Sequence, residues 1–300
     1  GVTVRQLLAH QAGLADALGA KAVPLDAESR RTPAAARKRG KPIPDAFSLL
    51  HAYRHSLDAM SAQLPKMELE RRRSFTPLGA TELPLKRGSL VAIDAEFVAC
   101  TRELTRPGTR GKKAVVVKPA RLSLARVSCL RGEGQLAGVP FIDAYVQQAE
   151  PVVDHLTKFS GLHPGDLDPS VSRHHITTMK SAYLQLRQLV DAGCVFVGHG
   201  LKKDFEMINV VIPQAQIVDT VNLFYSEAHK RRISLRFLAY HLLGMQMTNR
   251  LHDTHDSIED ARTALQLYTR YLELKAQGAL DEAINMLYQV GEQTNWEVPE

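Results

Sequence analysis

The feature that most restricts the fold of this chain is a pair of carboxylates at the end of an apolar run. Residues 90–93, Leu-Val-Ala-Ile, have the composition of a buried strand, and Asp94 and Glu96 follow it. Because strand side chains alternate between faces, residues i and i+2 point the same way. Burial and like charge both oppose ionisation of such a pair. A hard divalent cation with oxygen ligands is the simplest compensation, and the alternative is two hydrated acids at a strand end.

A second acid follows another apolar strand. Residues 194–197, Cys-Val-Phe-Val, lead into the turn Gly198-His199-Gly200, and Asp204 falls in the first turn of the helix predicted after it. An acid in this position complements the helix dipole, which is a sufficient structural explanation. The functional interpretation makes Asp204 a metal ligand, and His199 has the alternative role of a turn residue.

The third segment is His255-Asp256-Ser257-Ile258-Glu259-Asp260, which opens a predicted helix. Ser257 and Asp260 are spaced as in a capping box, with Asp in place of the usual Glu, so Asp260 has a capping role as its structural alternative. The functional interpretation makes Asp260 a metal ligand and His255 a base on the preceding loop. His252 lies close by in sequence and is a rival base.

Apolar runs along residues 87–300 predict the fold class. The predicted strands are 90–93, 114–117, 122–130, 139–142, 194–197 and 217–218, and the predicted helices are 152–159, 177–192, one from 202, 235–243, 258–275 and 280–288. Short connections between the early strands favour antiparallel pairing, and the later strands alternate with helices. The prediction is an α/β fold: a ribonuclease H-like mixed five-stranded sheet, with three antiparallel strands followed by parallel βα units, flanked by helices.

Charge separates residues 1–86 from the rest. They carry 14 Lys and Arg against 8 Asp and Glu, whereas residues 87–300 carry 24 of each. Helices are predicted at 4–18 and 46–64, with a basic, proline-punctuated stretch at 30–42. We expect a basic, partly helical linker or the remnant of a preceding domain, and the alternative is a nucleic-acid-binding arm. The chain opens Gly1-Val2-Thr3 and is expected to be a fragment or a processed form.

Two further exclusions follow from composition. No stretch of the 300 residues approaches the roughly 20 apolar residues that a membrane span needs. The three cysteines, Cys100, Cys129 and Cys194, are far apart and odd in number, so neither a disulfide framework nor a zinc knuckle is predicted. Buried thiols in a reducing compartment are expected.

The conjunction of the three acidic segments resembles the DEDDh family of 3′→5′ exonucleases. The Asp-x-Glu motif matches Asp94 and Glu96, the acid at a helix start matches Asp204, and the His-x4-Asp motif matches His255 and Asp260. The resemblance is closer to the exonuclease domain of the catalytic subunits in the Pan group of poly(A)-specific ribonucleases. It extends over residues 85–300 and is carried by 90–98, 160–168, 196–205, 233–239, 254–265 and 296–299.

The resemblance implies a metal-dependent exoribonuclease that shortens the poly(A) tails of mRNA and releases 5′-AMP. It implies two divalent ions, Mg²⁺ expected and Mn²⁺ possible, that flank the scissile bond as in two-metal enzymes. Asp94 is then expected to bridge both ions, Glu96 and Asp260 to help hold the first, and Asp204 the second. His255 is expected to take a proton from the attacking water, since an unperturbed histidine pKa of about 6.5 suits a base near neutral pH.

Expected RNA contacts are weaker signals. Phe97 and Val98 are candidates for stacking on adenine, although Phe97 alternates with Glu96 and has the core as its alternative. Near the second motif, His199, Lys202 and Lys203 are candidates for the RNA strand, with hydration as the alternative for the lysines. A similar expectation covers Lys112 and Lys113.

Family resemblance also implies partners and a compartment. These are poly(A) RNA, a pseudokinase-like adaptor subunit and poly(A)-binding protein, the proteins through regions expected outside this chain, and the cytoplasm. Two alternatives stay open: a DEDDh exonuclease for other RNA or single-stranded DNA, and a catalytically silent RNA-binding module. The five intact motif side chains argue against the silent module.

Overall fold

The computed structural model describes residues 75–83, 85–106, 115–245 and 255–299. The helices predicted at 4–18 and 46–64, the rival base His252, and Lys112 and Lys113 lie outside these residues. Within them, no helix is both long and apolar enough to cross a bilayer. The three cysteines are free thiols, with Cys129 and Cys194 buried as expected.

The described strands form one large sheet and one two-stranded sheet. In chain order they are β1 (Leu90–Ala99), β2 (Leu104–Arg106), β3 (Val115–Lys118), β4 (Leu122–Arg131), β5 (Pro140–Val146), β6 (Ile176–Thr177), β7 (Val195–Gly198) and β8 (Ile217–Asp219). The large sheet has the order β6-β5-β4-β1-β7-β8, and β2 pairs with β3 alone. Strands β1, β4 and β5 pair antiparallel, whereas β7 joins β1 and β8 joins β7 in parallel. This confirms the predicted mixed sheet with its antiparallel and parallel parts.

Seven α-helices are described, and they cover both faces of the sheet. They are α1 (Thr157–Ser160), α2 (Met179–Asp191), α3 (Leu201–Ile208), α4 (Thr220–Leu223), α5 (Leu235–Leu243), α6 (Ser257–Ala276) and α7 (Leu280–Gln293). Alternate residues of β1 divide between the faces: Val91 and Ile93 belong to the core with α2 and α3, whereas Ala92 packs against α6. The side chains of Asp94 and Glu96 therefore lie on the α6 face.

The last three helices form a second hydrophobic core. Phe237 and Leu238 of α5, Leu267 of α6, and Leu287 and Tyr288 of α7 are fully buried in it. This cluster anchors α6, so that the N-terminal turn of α6 has a fixed position over the sheet.

Three details differ from the prediction. The large sheet has six strands, because the two-residue β6 pairs in parallel with the edge of β5. Of the predicted strand 114–117, the described residues 115–117 lie in β3, which pairs with β2 rather than with this sheet, and their valines are exposed. The helix predicted at 152–159 is reduced to α1, which begins at Thr157.

Residues preceding the sheet pack onto it through an ion pair. Arg131 of β4 is buried, and its Nε and Nη2 donate to Glu82 Oε1 and Oε2 at 2.5 and 2.9 Å. Its two Nη groups also donate to the carbonyls of Thr76 and Pro77, and the amide of Thr76 donates to Pro140 O of β5. The hydrogen bond from Arg131, together with the amide of Gly79, lowers the pKa of Glu82 to about 2.

We predict that Glu82→Gln lowers the free energy of unfolding by about 1–2 kcal/mol at pH 7, since it weakens a charge-assisted pair. A carboxylate whose pKa is depressed in the fold stabilises it above its unfolded pKa and loses that effect as pH falls through the folded value. The difference in the free energy of unfolding between wild type and Glu82→Gln should therefore become smaller as the pH falls from about 4.5 towards 2. Urea unfolding at pH 7, 4 and 3 measures it, and a gap that is constant with pH would contradict this role of Glu82.

Candidate active site

Sheet register places a polar layer on the α6 face. Asp94 is opposite Ser128, and Glu96 is opposite Arg126, in the antiparallel β1–β4 pair. Opposed residues share a face of the sheet, so the two acids and their β4 partners lie together. The register shifts directly after Glu96, which marks a β-bulge at the site. One carboxylate oxygen from each of Asp94, Glu96 and Asp260 lies within 4.8 Å of the others.

The first turn of α6 brings Asp260 to the strand acids. Asp256 is the N-cap: its Oδ1 accepts from the amides of Ile258 and Glu259 at 2.9 and 3.1 Å. Ser257 is not the cap, because its hydroxyl bonds the hydroxyl of Ser128 at 2.7 Å. The capping-box alternative for Asp260 is therefore wrong. Asp260 is one turn along the helix and buried against the sheet.

Arg126 joins this turn to the sheet. Its side chain is 8% exposed. Its Nε and Nη2 donate to the two Asp143 oxygens at 2.7 and 3.2 Å, and its Nη1 donates to Asp256 Oδ2 at 3.2 Å. Although burial disfavours the charged form, the bonds and charges of Asp143 and Asp256 raise the pKa of Arg126. The guanidinium also lies 4.8 Å from the ring centroid of Tyr145. Arg126 thus holds the N-cap of α6 against β4 and β5.

Electrostatics at the strand acids favour a bound cation. Burial and the charge of Asp260 raise the pKa of Glu96 to about 9, and burial with the charges of Asp260 and Glu96 raises the pKa of Asp94. Glu96 is 6% exposed, and its Oε1 finds no hydrogen-bond partner among the described residues. A buried, unpaired carboxylate oxygen beside two further acids is a donor set that suits a hard divalent ion. The residues present therefore fit the divalent ions that the exonuclease family implies.

Asp204 lies near the cluster but outside the group defined by 4.8 Å. Its charge contributes to the raised pKa of both Asp94 and Glu96, so it faces the same space. Burial and the charge of Asp219 raise the pKa of Asp204 to about 7. The dipole of α3 favours an acid in this position, and the raised pKa means that burial and the charge of Asp219 outweigh other effects there. The role of Asp204 as a metal ligand stays a prediction.

The turn before α3 is fixed by β8. Asp219 Oδ1 accepts from the amide of Gly200 at 2.8 Å, and Gly200, with φ of 87°, is the N-cap of α3. The ring of His199 bonds Thr220 Oγ1 through Nδ1 at 2.9 Å, and burial lowers the pKa of His199 to about 4. His199 thus has a turn-building role, which was the structural alternative to RNA contact.

His255 contacts the acid cluster. Its Nδ1 donates to Asp260 Oδ2 at 2.9 Å, and its side chain is 53% exposed. With the proton on Nδ1, the neutral ring has Nε2 as its acceptor. The structure therefore joins His255 to the site and leaves a nitrogen for proton transfer.

The other expected RNA contacts divide by burial. Phe97 is part of the core shared with α2 and α3, and Val98 is fully buried in a separate cluster. Neither offers a face for base stacking, so the expectation is corrected to the core alternative. Lys202 and Lys203 are exposed on α3, and Lys202 lies 3.9 Å from Glu206. Their contact with RNA stays a prediction.

Sequence reasoning missed the residues that support the acids. Arg126 and Ser128 belong to the apolar predicted strand 122–130, Asp143 follows the predicted strand 139–142, and the predicted cap is Ser257 rather than Asp256. The available signal was the alternation of β4, which places the polar residues Arg126 and Ser128 on one face.

Comparison with known proteins decides the family. A family model described as Exonuclease, RNase_T, matches residues 91–268, which is more than half of the chain. The chain belongs to the RNase_T family of exonucleases. The matched span contains Asp94, Glu96, Asp204, His255 and Asp260.

Relatives within this exonuclease family are similar over most of the chain. The PAN2-PAN3 deadenylation complex catalytic subunit of Rattus norvegicus is 48% identical over 80% of this chain, and that of Schizosaccharomyces pombe is 51% identical over 70%. The chain covers 20% and 19% of those proteins, so it spans about a fifth of their length. A Saccharomyces cerevisiae Pan2 pseudoubiquitin hydrolase-RNA exonuclease module, solved in complex with AAGGAA RNA, matches with a TM-score of 0.67 and 44% identity over 76% of this chain and 36% of its own. This likeness confirms the ribonuclease H-like fold.

We predict that Arg126→Lys lowers the free energy of unfolding of the exonuclease by about 2–3 kcal/mol. Lysine keeps the charge but cannot span Asp143 and Asp256 with a planar fork, so charge-assisted bonds are lost in a buried position. The matched control is Arg187→Lys, since Arg187 pairs with Asp191 on the exposed surface of α2, where loss of a pair changes stability little. Urea unfolding measures the stability of both variants. Equal unfolding midpoints for Arg126→Lys and Arg187→Lys would show that Arg126 does not stabilise the fold in this way.

We further predict that Glu96→Gln raises the stability of the metal-free exonuclease at pH 7, on the order of 1–3 kcal/mol. The amide of Gln is close in shape to the carboxylate but carries no charge. It therefore removes the cost of burying a negative charge beside other acids, which raises the pKa of Glu96 in wild type. Added Mn²⁺ should raise the melting temperature of wild type and shift that of the variant much less. Thermal unfolding in chelator and in Mn²⁺ tests this. The prediction would be contradicted if Glu96→Gln had a lower melting temperature than wild type in chelator and if Mn²⁺ raised the melting temperature of both proteins equally.

Proposed function

We propose that this chain carries a metal-dependent 3′→5′ exoribonuclease that shortens poly(A) tails and releases 5′-AMP. The observation that carries the proposal is the meeting of Asp94, Glu96 and Asp260 within 4.8 Å, in a member of the exonuclease family. The identity of 48% to a deadenylation catalytic subunit supports poly(A) as the substrate. Residues 87–300 are the proposed exonuclease domain, and residues 1–86 a linker or a remnant of a preceding domain.

The proposed metal site is built from acids on three segments. Asp94, Glu96 and Asp260 would hold one divalent ion, and Asp204 with Asp94 a second, with Mg²⁺ as the ion because it suits carboxylate oxygens and retains waters. Such ions supply charge stabilisation at the attacking and leaving oxygens of a phosphodiester. The raised pKa values of Asp94, Glu96 and Asp204 support this assignment, since each acid is disfavoured as an ion without a counter-charge.

The protein groups perform the positioning and the proton transfer. Asp260 orients His255 through the Nδ1 bond, so that Nε2 accepts the proton of the attacking water. The Asp256 cap and Arg126 fix α6, which sets where Asp260 and His255 lie relative to β1. The burial of this polar layer against α6 limits the access of bulk water, and so strengthens charge interactions inside it.

The proposed partners follow from the relatives. The matched catalytic subunits are named as parts of a PAN2-PAN3 deadenylation complex, so we propose a pseudokinase-like adaptor subunit as partner in the longer protein. Poly(A)-binding protein as a second partner and the cytoplasm as compartment belong to the same proposal.

The direct test is an exonuclease assay. Incubation with labelled A20, a mixed-sequence 20-mer and single-stranded DNA, in Mg²⁺ or in chelator, should give a 3′ ladder that requires metal and is fastest on A20. Glu96→Gln should abolish turnover, whereas Glu206→Gln, an exposed acid on α3, should leave the rate unchanged. His255→Ala should slow the reaction by roughly 10²–10⁴-fold.

Each other outcome names a different function. Equal rates on all three substrates would replace the poly(A) specificity with a general DEDDh exonuclease activity. RNA binding without products, in any metal, would indicate the silent binding module. Full activity of Glu96→Gln would remove the acid cluster from the mechanism.

A further inference from the structure

A run of cations follows α4 and extends into the first turn of α5. Residues 227–236, here called the basic loop, contain Lys230, Arg231, Arg232 and, at the second position of α5, Arg236, all exposed, together with one exposed acid, Glu227. Among the contacts of the described residues, Lys230, Arg232 and Arg236 have no carboxylate partner. The proposed mechanism uses none of these side chains.

Two aromatic residues of the C-terminal core hold this loop in place. The hydroxyl of Tyr288 donates to Arg231 O at 2.5 Å and accepts from the amide of Ser226 at 3.0 Å. One buried side chain therefore joins the two ends of the segment 226–231. The ring of His229 stacks on the ring of Tyr288 with centroids 4.4 Å apart. Lys230, which lies between His229 and Arg231 in the sequence, has a left-handed backbone, with φ of 51°. Such a conformation in a non-glycine residue persists only where its surroundings enforce it.

The guanidinium of Arg231 lies on Trp296, 4.4 Å from the ring centroid. Trp296 is seated on α7 at Gly291, where an added Cβ would meet the indole at 2.6 Å. Stacking uses one face of the guanidinium, so the N–H groups at its edge stay available for hydrogen bonds. The loop is therefore a set of cations on a fixed backbone rather than a solvated charge run.

The loop continues into the wall of the active site. His199 of the turn before α3 bonds Thr220 Oγ1 through Nδ1 at 2.9 Å, and Thr220 is the first residue of α4, the helix that precedes the loop. At the other end of the loop, Ile233 packs with Phe224 and Phe237 in the C-terminal core, and its backbone is hydrogen-bonded to His199. Ile233 follows Arg232 directly, and Ser234 caps α5, its side chain accepting from the amide of Phe237. The basic loop thus ends beside the turn that presents Asp204.

We propose that the basic loop binds the phosphates of the RNA strand on the 5′ side of the linkage that is cleaved. This inference rests on the proposed function and identifies where the substrate backbone lies. Four acids at the site repel a polyanion, and bound ions offset that only locally. Cations on a loop whose backbone is already fixed attract the following phosphates at the rim, and only their side chains have to be ordered on binding.

The test compares two pairs of substitutions with the same change in charge. Lys230→Gln/Arg232→Gln alters the loop, and Lys180→Gln/Arg187→Gln alters α2, on the opposite face of the sheet from α6. Both are made in the Glu96→Gln background, so that labelled RNA stays intact in Mg²⁺. Fluorescence anisotropy gives the Kd for A20 and for a mixed-sequence 20-mer between 50 and 300 mM salt.

We expect the loop pair to weaken binding about tenfold near 0.15 M salt and to reduce the salt slope by about 1.4, since each phosphate contact contributes about 0.7 for a single strand. The loss should be equal on both RNAs, because phosphate contacts carry no base information. The control pair should match the parent.

If the loop pair had the same Kd and the same salt slope as the control pair, the proposal would be overturned, and the loop would instead be a candidate surface for a partner protein. A loss confined to A20 would overturn it in favour of base recognition. Failure of the parent to bind either RNA would also overturn it. Cleavage of A20 by the wild-type chain tests the proposed function separately, so a failure of the loop and a failure of the function are distinguished.

Discussion

The site depends on keeping together acids that repel one another. Asp94 and Glu96 cannot separate, because the strand period fixes both on one face of β1, and Asp260 is brought to them by a helix whose start is pinned by its cap. The raised pKa values of Asp94 and Glu96 are the sign that the fold maintains this arrangement against an opposing free energy. The sheet, the second hydrophobic core around α5, α6 and α7, and the N-cap at Asp256 together supply the compensation.

Arg126 shows how a fold can stabilise an acidic site without neutralising it. Its hydrogen bonds go to Asp143 and Asp256, not to Asp94 or Glu96. Its charge still opposes the rise in the pKa of both strand acids. The lone pairs of Glu96 therefore stay available, and Oε1 has no hydrogen-bond partner among the described residues. A cation bonded directly to Glu96 would occupy the oxygens that a metal ion needs.

Periodicity was enough to predict the acids and the sheet, because both follow from local rules. The spacing of Asp94 and Glu96 needs only the strand period, and Asp204 and Asp260 need only a helix start after a recognisable break. Contacts across the chain were not predictable in this way. Arg126 and Asp256 are separated by 130 positions, and the choice of Asp256 over Ser257 as cap depends on Ser128 being available to bond Ser257. The valines of 115–117 form a strand as their composition indicates, but which sheet a strand joins is a matter of tertiary pairing.

The neutral charge of residues 87–300 conceals a separation of charge along the proposed RNA path. The acids are gathered at the end of β1, and the cations lie in the basic loop, where the backbone of Ile233 is hydrogen-bonded to His199 of the turn before Asp204. Net charge reports only their sum, so a neutral domain is compatible with binding a polyanion. Because the acids and the cations lie on separate segments of the chain, the proposed loop can attract phosphates while the acids keep their oxygens for metal. Direct pairing of the two sets would cancel both functions, whereas the hydrogen bond from Tyr288 to Arg231 O and the stacking of Arg231 on Trp296 hold the loop in its own position.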